Sequence, residues 1–275
     1  MRSKTARVSL ILLTLALVLP VSAWAMTYQE APMLRELVEA GLLPPVEERL
    51  PLDPKVVEPV DEIGRYGGEI RSGAFGPTSG GFDAEGLRVQ NLLQIEPDLQ
   101  TLTPNIVRDI EISQDFTWVK LYLRRGMKWS DGHPFTADDF MFWYEDILLN
   151  DELTPVKRAV WMPGGELLKM IKHDDYTIEL QFAAPYPAID IVLAKSDING
   201  RFFQPKHYLQ KWHIKYNPDA EALARQEGFD SWWQAFNHHM AWQQDQLDVN
   251  QPTINPWVLK SIDAQGNKYF ERNPY

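Results

Sequence analysis

The sequence predicts a mixed fold of helices and strands, and three stretches carry that prediction. Residues 116–123 alternate, with Phe116, Trp118 and Tyr122 on one face and Val119, Leu121 and Leu123 on the other, as expected of a strand covered on both sides. Residues 136–148 switch to a helical period. Thr136 suits an N-cap, Asp138 and Asp139 fall in the first turn where the helix dipole favours negative charge, and Phe140, Trp143, Tyr144, Ile147 and Leu148 share one apolar stripe. Residues 176–182 alternate again, with Ile178, Leu180 and Phe182 facing inward.

The remaining elements come in chain order. Arg2, Lys4 and Arg7 form a basic region, Val8 to Leu19 an apolar run and Ala23-Trp24-Ala25 a small-x-small site, so residues 1–25 are expected to be a secretory signal cleaved after Ala25. The apolar run is shorter than the roughly 20 residues that cross a bilayer, and Pro20 interrupts its end. Leu34, Leu37 and Val38 then lie at helical spacing, with Gly41 as a stop. Prolines 44, 45, 51, 54 and 59 make residues 43–61 a helix-free extended strap, and Val46, Leu50, Leu52, Val56, Val57 and Val60 suggest that it docks on an apolar surface.

Tyr66 to Arg71 reads as a strand leading into a glycine-rich loop, 72–83, that contains Phe75, Phe82 and Asp83. The loop lacks both phosphate-binding glycine patterns, so close backbone approach is the better reason for its glycines. Turns are expected at 124–126 and 130–132, and Asp174-Asp175 makes a turn before the strand that succeeds it. Ala220 to Glu227 is a helix ended by Gly228, Ser231 caps the next helix, and residues 258–262 and 268–271 pair as a hairpin.

Composition excludes several kinds of chemistry. With no cysteine there is no lipid-carrying cysteine, disulfide or thiolate metal site, and a soluble exported protein is expected. A formal net charge of -11 argues against nucleic acid and anionic membrane surfaces as partners. The histidines at 133, 173, 207, 213, 238 and 239 show no metal-ligand spacing and read as surface residues, and there is no nucleophile elbow. Asp138-Asp139 and Asp174-Asp175 are explained by a helix cap and a turn. With aromatics at 12% of the chain and Trp 10 in the count, some rings are expected to line an apolar cleft, which favours binding over catalysis.

Residues 123–139, Leu-Arg-Arg-Gly-Met-Lys-Trp-Ser-Asp-Gly-His-Pro-Phe-Thr-Ala-Asp-Asp, strongly resemble the signature of the dipeptide and oligopeptide type of ABC-importer solute-binding proteins, the extracellular solute-binding family 5. Residues 103–107, 203–208 and 273–275 agree with it, and residues 42–51 resemble a longer-chained subgroup of that family. The resemblance implies an α+β (mixed α/β), periplasmic-binding-protein-like type II fold of two lobes around a cleft, present here in part. The expected division is a signal at 1–25, a helix and strap at 26–63, a first lobe with an inserted subdomain at 64–257, and the start of the hinge and second lobe at 258–275.

It further implies a monomeric periplasmic protein without enzymatic activity, cofactor, metal or membrane anchor, which hands a captured solute to a membrane permease. Peptide is the first expectation for that solute and oligosaccharide the alternative. Phe75, Phe82 and Asp83, with Trp161 and Trp257 as stacking faces, are the candidate ligand contacts. An exported carbohydrate-active hydrolase and a solute sensor for a membrane receptor remain the rival functions.

Overall fold

The structure is a computed structural model that describes residues 28–73, 90–195, 202–240 and 247–275. The expected signal with Ala25, and Phe75, Phe82 and Asp83, lie outside those residues. Among the described residues, no helix is long and apolar enough to cross a membrane.

A short antiparallel pair, β1 (Leu93–Ile95) and β2 (Leu102–Pro104), leads into the central sheet. That sheet is antiparallel and consists of β3 (Val107–Ile112), β4 (Trp118–Leu123), β5 (Lys169–Asp174) and β6 (Thr177–Gln181), in the order β3-β4-β6-β5. Its register puts like with like. Ile112 lies opposite Val119, Val119 opposite Leu180, and Leu180 opposite Met170, so one row of apolar side chains crosses all of the strands. Val119, Leu121, Leu123, Ile178 and Leu180 are buried on this face.

The other face of β4 is only half-covered, contrary to the expectation of two covered faces. Lys120 sits there between Trp118 and Tyr122, its Nζ 4.8 Å from the Trp118 ring, and the Tyr122 hydroxyl donates to Glu111 at 2.8 Å. Phe116 does not join the strand. It has φ 57, in a turn where the Ser113 hydroxyl accepts the N–H groups of Thr117 at 2.9 Å and Trp118 at 3.0 Å. Local side-chain hydrogen bonds outcompete the ladder at that end.

The helix at 136–148 forms in two pieces. Its first turns, Ala137–Phe142, start at a capping box: the Thr136 side chain accepts from the Asp138 N–H at 3.3 Å and the Asp139 carboxylate accepts the Thr136 N–H at 3.0 Å. From Trp143 to Leu148 the winding widens to a π-helix, closed by the Leu149 N–H on the Tyr144 carbonyl at 3.0 Å. The wide turn holds Asp146 buried. Its carboxylate takes the Tyr216 hydroxyl at 2.6 Å and Lys215 Nζ at 2.5 Å, and its carbonyl takes His213 Nε2 at 3.1 Å.

Around this element the core is built of rings. Phe135, Phe140, Phe202 and Phe203 meet mostly edge to face, with Trp129 against Phe135 at 5.4 Å between centroids. Asp139 reaches across this cluster from the first helical turn: its carboxylate also accepts the Trp129 indole N–H at 3.1 Å and the Lys206 backbone N–H at 3.2 Å. Burial raises its carboxyl above the ordinary aspartate range, and the bonds from Thr136, Trp129 and Lys206 only partly offset this.

Elsewhere the structure departs from the sequence-based expectation at several points. Tyr66 to Arg71 forms no strand and is exposed. The strap contains a short helix, Val46–Arg49, which starts directly after Pro45, where prolines are tolerated because those N–H groups need no partner inside the helix. Leu52, Val56, Val57 and Val60 are exposed, while Val46 and Leu50 are half-buried and Leu43 is buried with Ala31 and Leu34, so only the first part of the strap docks on apolar surface. Ser231 stands at the N-cap of Trp232–His239 without making the cap bond; the Glu221 carboxylate takes the Trp232 N–H at 2.7 Å instead. The expected hairpin forms as Trp257–Ile262 with Lys268–Arg272, its first strand running across the boundary expected at 257/258.

Because Asp139 satisfies donors from three separate segments, Asp139→Ala leaves all of them unpaired in the core. A loss of about 2–4 kcal/mol in unfolding free energy is expected, measured by urea denaturation, with Asp139→Asn losing less because it retains an acceptor oxygen.

Candidate functional site

A groove of about 200 Å³ lies where the strap, the 124–134 turns and residues 273–275 meet. Arg49, Lys55, Arg124, Lys128, Ile254 and Tyr275 form most of its character. The cations are drawn there by backbone carbonyls. The buried Arg49 guanidinium donates to the carbonyls of Pro44, at 2.9 Å, and Pro274, and to Glu30 Oε2 at 2.6 Å. Arg124 donates to the Asn105 carbonyl at 2.7 Å and the Asp53 carbonyl at 2.5 Å, while Lys128 donates to the Glu48 carbonyl. Lys55 reaches Gln94 at 2.7 Å.

Long basic side chains thus clamp carbonyl groups of the strap, and Val56, Val57 and Val60 stay outside. Burial depresses the Lys55 ammonium below the ordinary lysine range, opposed by Glu96, and burial likewise lowers the Arg124 guanidinium against the pull of Asp53. The groove therefore combines positive charge with donors already committed to the chain. It serves as a seat for the strap.

Residues 273–275 are fixed with similar care. Asn273 donates through Nδ2 to the carbonyls of Asn255, at 2.8 Å, and Thr253, at 3.3 Å, and its Oδ1 accepts the Tyr275 N–H at 2.9 Å. Thr253 is itself paired with Ser130, N–H to hydroxyl at 3.0 Å and carbonyl to N–H at 2.9 Å. Tyr275 lies over the 130–132 turn. Gly132 has φ +87, and a methyl group there would stand 2.8 Å from the Tyr275 hydroxyl, so glycine is required both by the backbone and by the approaching ring.

The two described candidate contacts part company. Trp161, expected as a stacking face, is a core residue: it is buried, with its centroid 5.5 Å from that of Trp143 and 5.0 Å from that of Phe202. Packing against the π-helix, rather than cleft lining, accounts for its position. Trp257 opens its strand with 37% of its surface exposed, and the structure does not bring it together with Trp161 or with the lining residues named above.

The histidines also differ from expectation. His213 is buried and His239 is enclosed between carboxylates, because each has hydrogen-bond partners that compensate for leaving water. No group of three or more His, Asp or Glu side chains among the described residues is arranged to hold a metal ion. Arg49, Gly132 and Asn273 do not stand out in the sequence as site residues. Their signal is present only as membership in the motif stretches 42–51, 123–139 and 273–275.

The description "Bacterial extracellular solute-binding proteins, family 5 Middle" matches residues 101–275. A curated relative, the periplasmic alpha-galactoside-binding protein of Rhizobium meliloti (strain 1021), is 33% identical over 269 residues, which is 90% of this chain and 36% of the relative. Among solved structures, the oligopeptide-binding protein OppA is similar with TM-score 0.80 and 34% identity, over 90% of this chain and 38% of its own. The periplasmic binding protein MelB from Agrobacterium fabrum C58, in complex with stachyose, is similar with TM-score 0.69 and 25% identity, over 91% of this chain and 38% of its own. The chain thus spans little more than a third of the length of these relatives.

Gly132→Ala is expected to lower stability by about 1–3 kcal/mol in urea denaturation, through left-handed backbone strain and the clash with Tyr275. Adding Tyr275→Ala should recover the steric share alone, which a double-mutant cycle reads out as a non-zero coupling.

Proposed function

The chain belongs to the bacterial extracellular solute-binding proteins of family 5, and on that premise we propose that it is part of the periplasmic substrate-binding component of an ABC importer. The observation that carries the reading is the family match over 101–275, a stretch that takes in both the turn centred on Gly132 and the Asn273–Tyr275 segment seated on it. For the solute we favour an oligosaccharide of the α-galactoside kind. Two relatives support this by name, the alpha-galactoside-binding protein of Rhizobium meliloti and MelB with its stachyose. Peptide is the second reading, favoured by the likeness to the oligopeptide-binding protein OppA.

In this proposal the protein is exported by residues 1–25, cleaved after Ala25, and acts as a monomer in the periplasm. Residues 26–63 strap the first lobe, 64–257 form that lobe with its inserted subdomain, and 258–275 begin the passage to a second lobe. Phe75, Phe82 and Asp83 and the half-exposed ring of Trp257 are the proposed solute contacts, since flat aromatic faces suit sugar rings. Capture needs no covalent step: solute held from both sides favours the closed state to the extent that it binds that state more tightly, and the closed form is what a permease recognises.

Full-length protein tested by thermal shift and calorimetry should show a melting temperature raised by stachyose at concentrations well above its dissociation constant. Stabilisation by oligopeptides alone would transfer the assignment to the second reading. Absence of binding to both, or hydrolysis of the sugar during the measurement, would overturn the proposal.

A further inference from the structure

Away from the groove, a charged cluster is enclosed where residues 206–212, Glu227, His239 and the 247–255 segment meet. His239 stands at the end of the helix Trp232–His239, with Nδ1 2.5 Å from Oδ2 of Asp248 and Nε2 2.9 Å from Oε2 of Glu227. Ionised carboxylates only accept, so both ring nitrogens must donate, and only the imidazolium has an N–H at each. The ring stacks on Trp212 with centroids 3.7 Å apart, and the Trp212 indole N–H donates to both Glu227 oxygens at 3.1 Å. The Tyr208 hydroxyl donates to Asp248. Among the described residues, the other titratable groups facing the cluster are His238, whose ring meets that of His239 edge-on at 5.1 Å, and Lys211, whose Nζ is 4.5 Å from the Trp212 ring.

The protonation preferences agree with this geometry. Burial would lower the His239 imidazole, but hydrogen bonds to Asp248 and Glu227 outweigh it and hold the group above its ordinary range. Burial pushes Asp248 upward, yet its bonds from His239 and Tyr208 bring it down to about 2, and Glu227 is depressed against burial in the same way. His238 is lowered by burial and by the charge of His239, so the neighbouring rings are driven apart in charge.

Asp248 is also the first fixed point of a path to residues 273–275. Its Oδ1 accepts the Asn250 N–H at 2.9 Å; farther along, Thr253 pairs with Ser130, and the carbonyls of Thr253 and Asn255 receive Asn273. We propose that His239 is a proton-operated latch: as an imidazolium it pins Asp248 and Glu227 together and so fixes residues 247–255 against the turn at Ser130. On losing its proton the ring donates to only one carboxylate, and the segment loosens.

The sign of the pH response comes from linkage. A raised histidine contributes stability in full below its unfolded value of about 6.5 and loses it as pH climbs through the folded value. The depressed carboxylates contribute above their unfolded values of about 4 and lose it as pH falls through their folded ones. Its contribution to stability is therefore complete between about pH 4.5 and 6.5, and the latch opens on the alkaline side as pH passes the raised folded value of His239.

Full-length protein, its His239→Gln variant and a His238→Gln control test this. Exchange of the imidazole C2 hydrogen, followed by mass spectrometry, gives the titration midpoint of His239, expected above about 6.5. Amide exchange of 247–255, corrected for intrinsic rate, should lose about tenfold in protection as pH crosses that midpoint, while 118–123 is unchanged. His239→Gln should lack that pH response and His238→Gln should keep it. A His239 midpoint at or below about 6.5, or protection of 247–255 that does not vary with pH in the wild type, would sink the latch, and neither readout requires the variant to fold.

Discussion

One buried carboxylate, that of Asp139, organises the described structure. A carboxylate out of water must be surrounded by donors, and here those donors come from Thr136, Trp129 and Lys206. The same demand brings the 124–134 turns, the start of a helix and the 202–206 stretch into one place, and the ring cluster of Phe135, Phe140, Phe202 and Phe203 closes over the junction. That the carboxyl is raised by burial in spite of its bonds shows that the arrangement is not favourable for the charge itself. What it does supply is a single acceptor that ties together Thr136, Trp129 and Lys206.

The groove uses charge for a second kind of joining. Arg49, Arg124 and Lys128 donate to carbonyl groups of segments far away in sequence, which allows a strap with one short helix to be held without pairing into a sheet. Arginine suits this because its planar fork can serve several acceptors at once, as Arg49 does with Pro44, Pro274 and Glu30. Together with Asn273 and Gly132, these contacts set where residues 273–275 lie on the turn.

Features set by local spacing are legible in the sequence. The cap at Thr136 and Asp139, the turn at Asp174 and the hairpin after Trp257 depend on residues a few positions apart, and each is found in the structure. The other donors to Asp139 come from another strand turn and another helix start, and no periodicity announces them. Trp161 escapes such a reading for the same reason: a tryptophan in an irregular stretch has no pattern to say whether its ring faces a cleft or Trp143 and Phe202. Phe116 and Ser231 depart from expectation through local competition, the first losing to the Ser113 hydroxyl and the second to the Glu221 carboxylate. The family resemblance rests on a long motif, and motifs of that length survive uncertainty about individual contacts.

The π-helix from Trp143 to Leu148 limits how this region can tolerate changes in length. Its wide turn takes in one residue more than ordinary winding would, so removing one lets the turn close to an α-helix while the flanking chain keeps nearly its present facing. What is lost is the wide turn itself, in which Asp146 meets Lys215, Tyr216 and His213 simultaneously. A substitution in this stretch has neighbours that can adjust, whereas a deletion undoes that meeting, so insertions and losses across related proteins should be found in the surrounding loops and avoid this one turn.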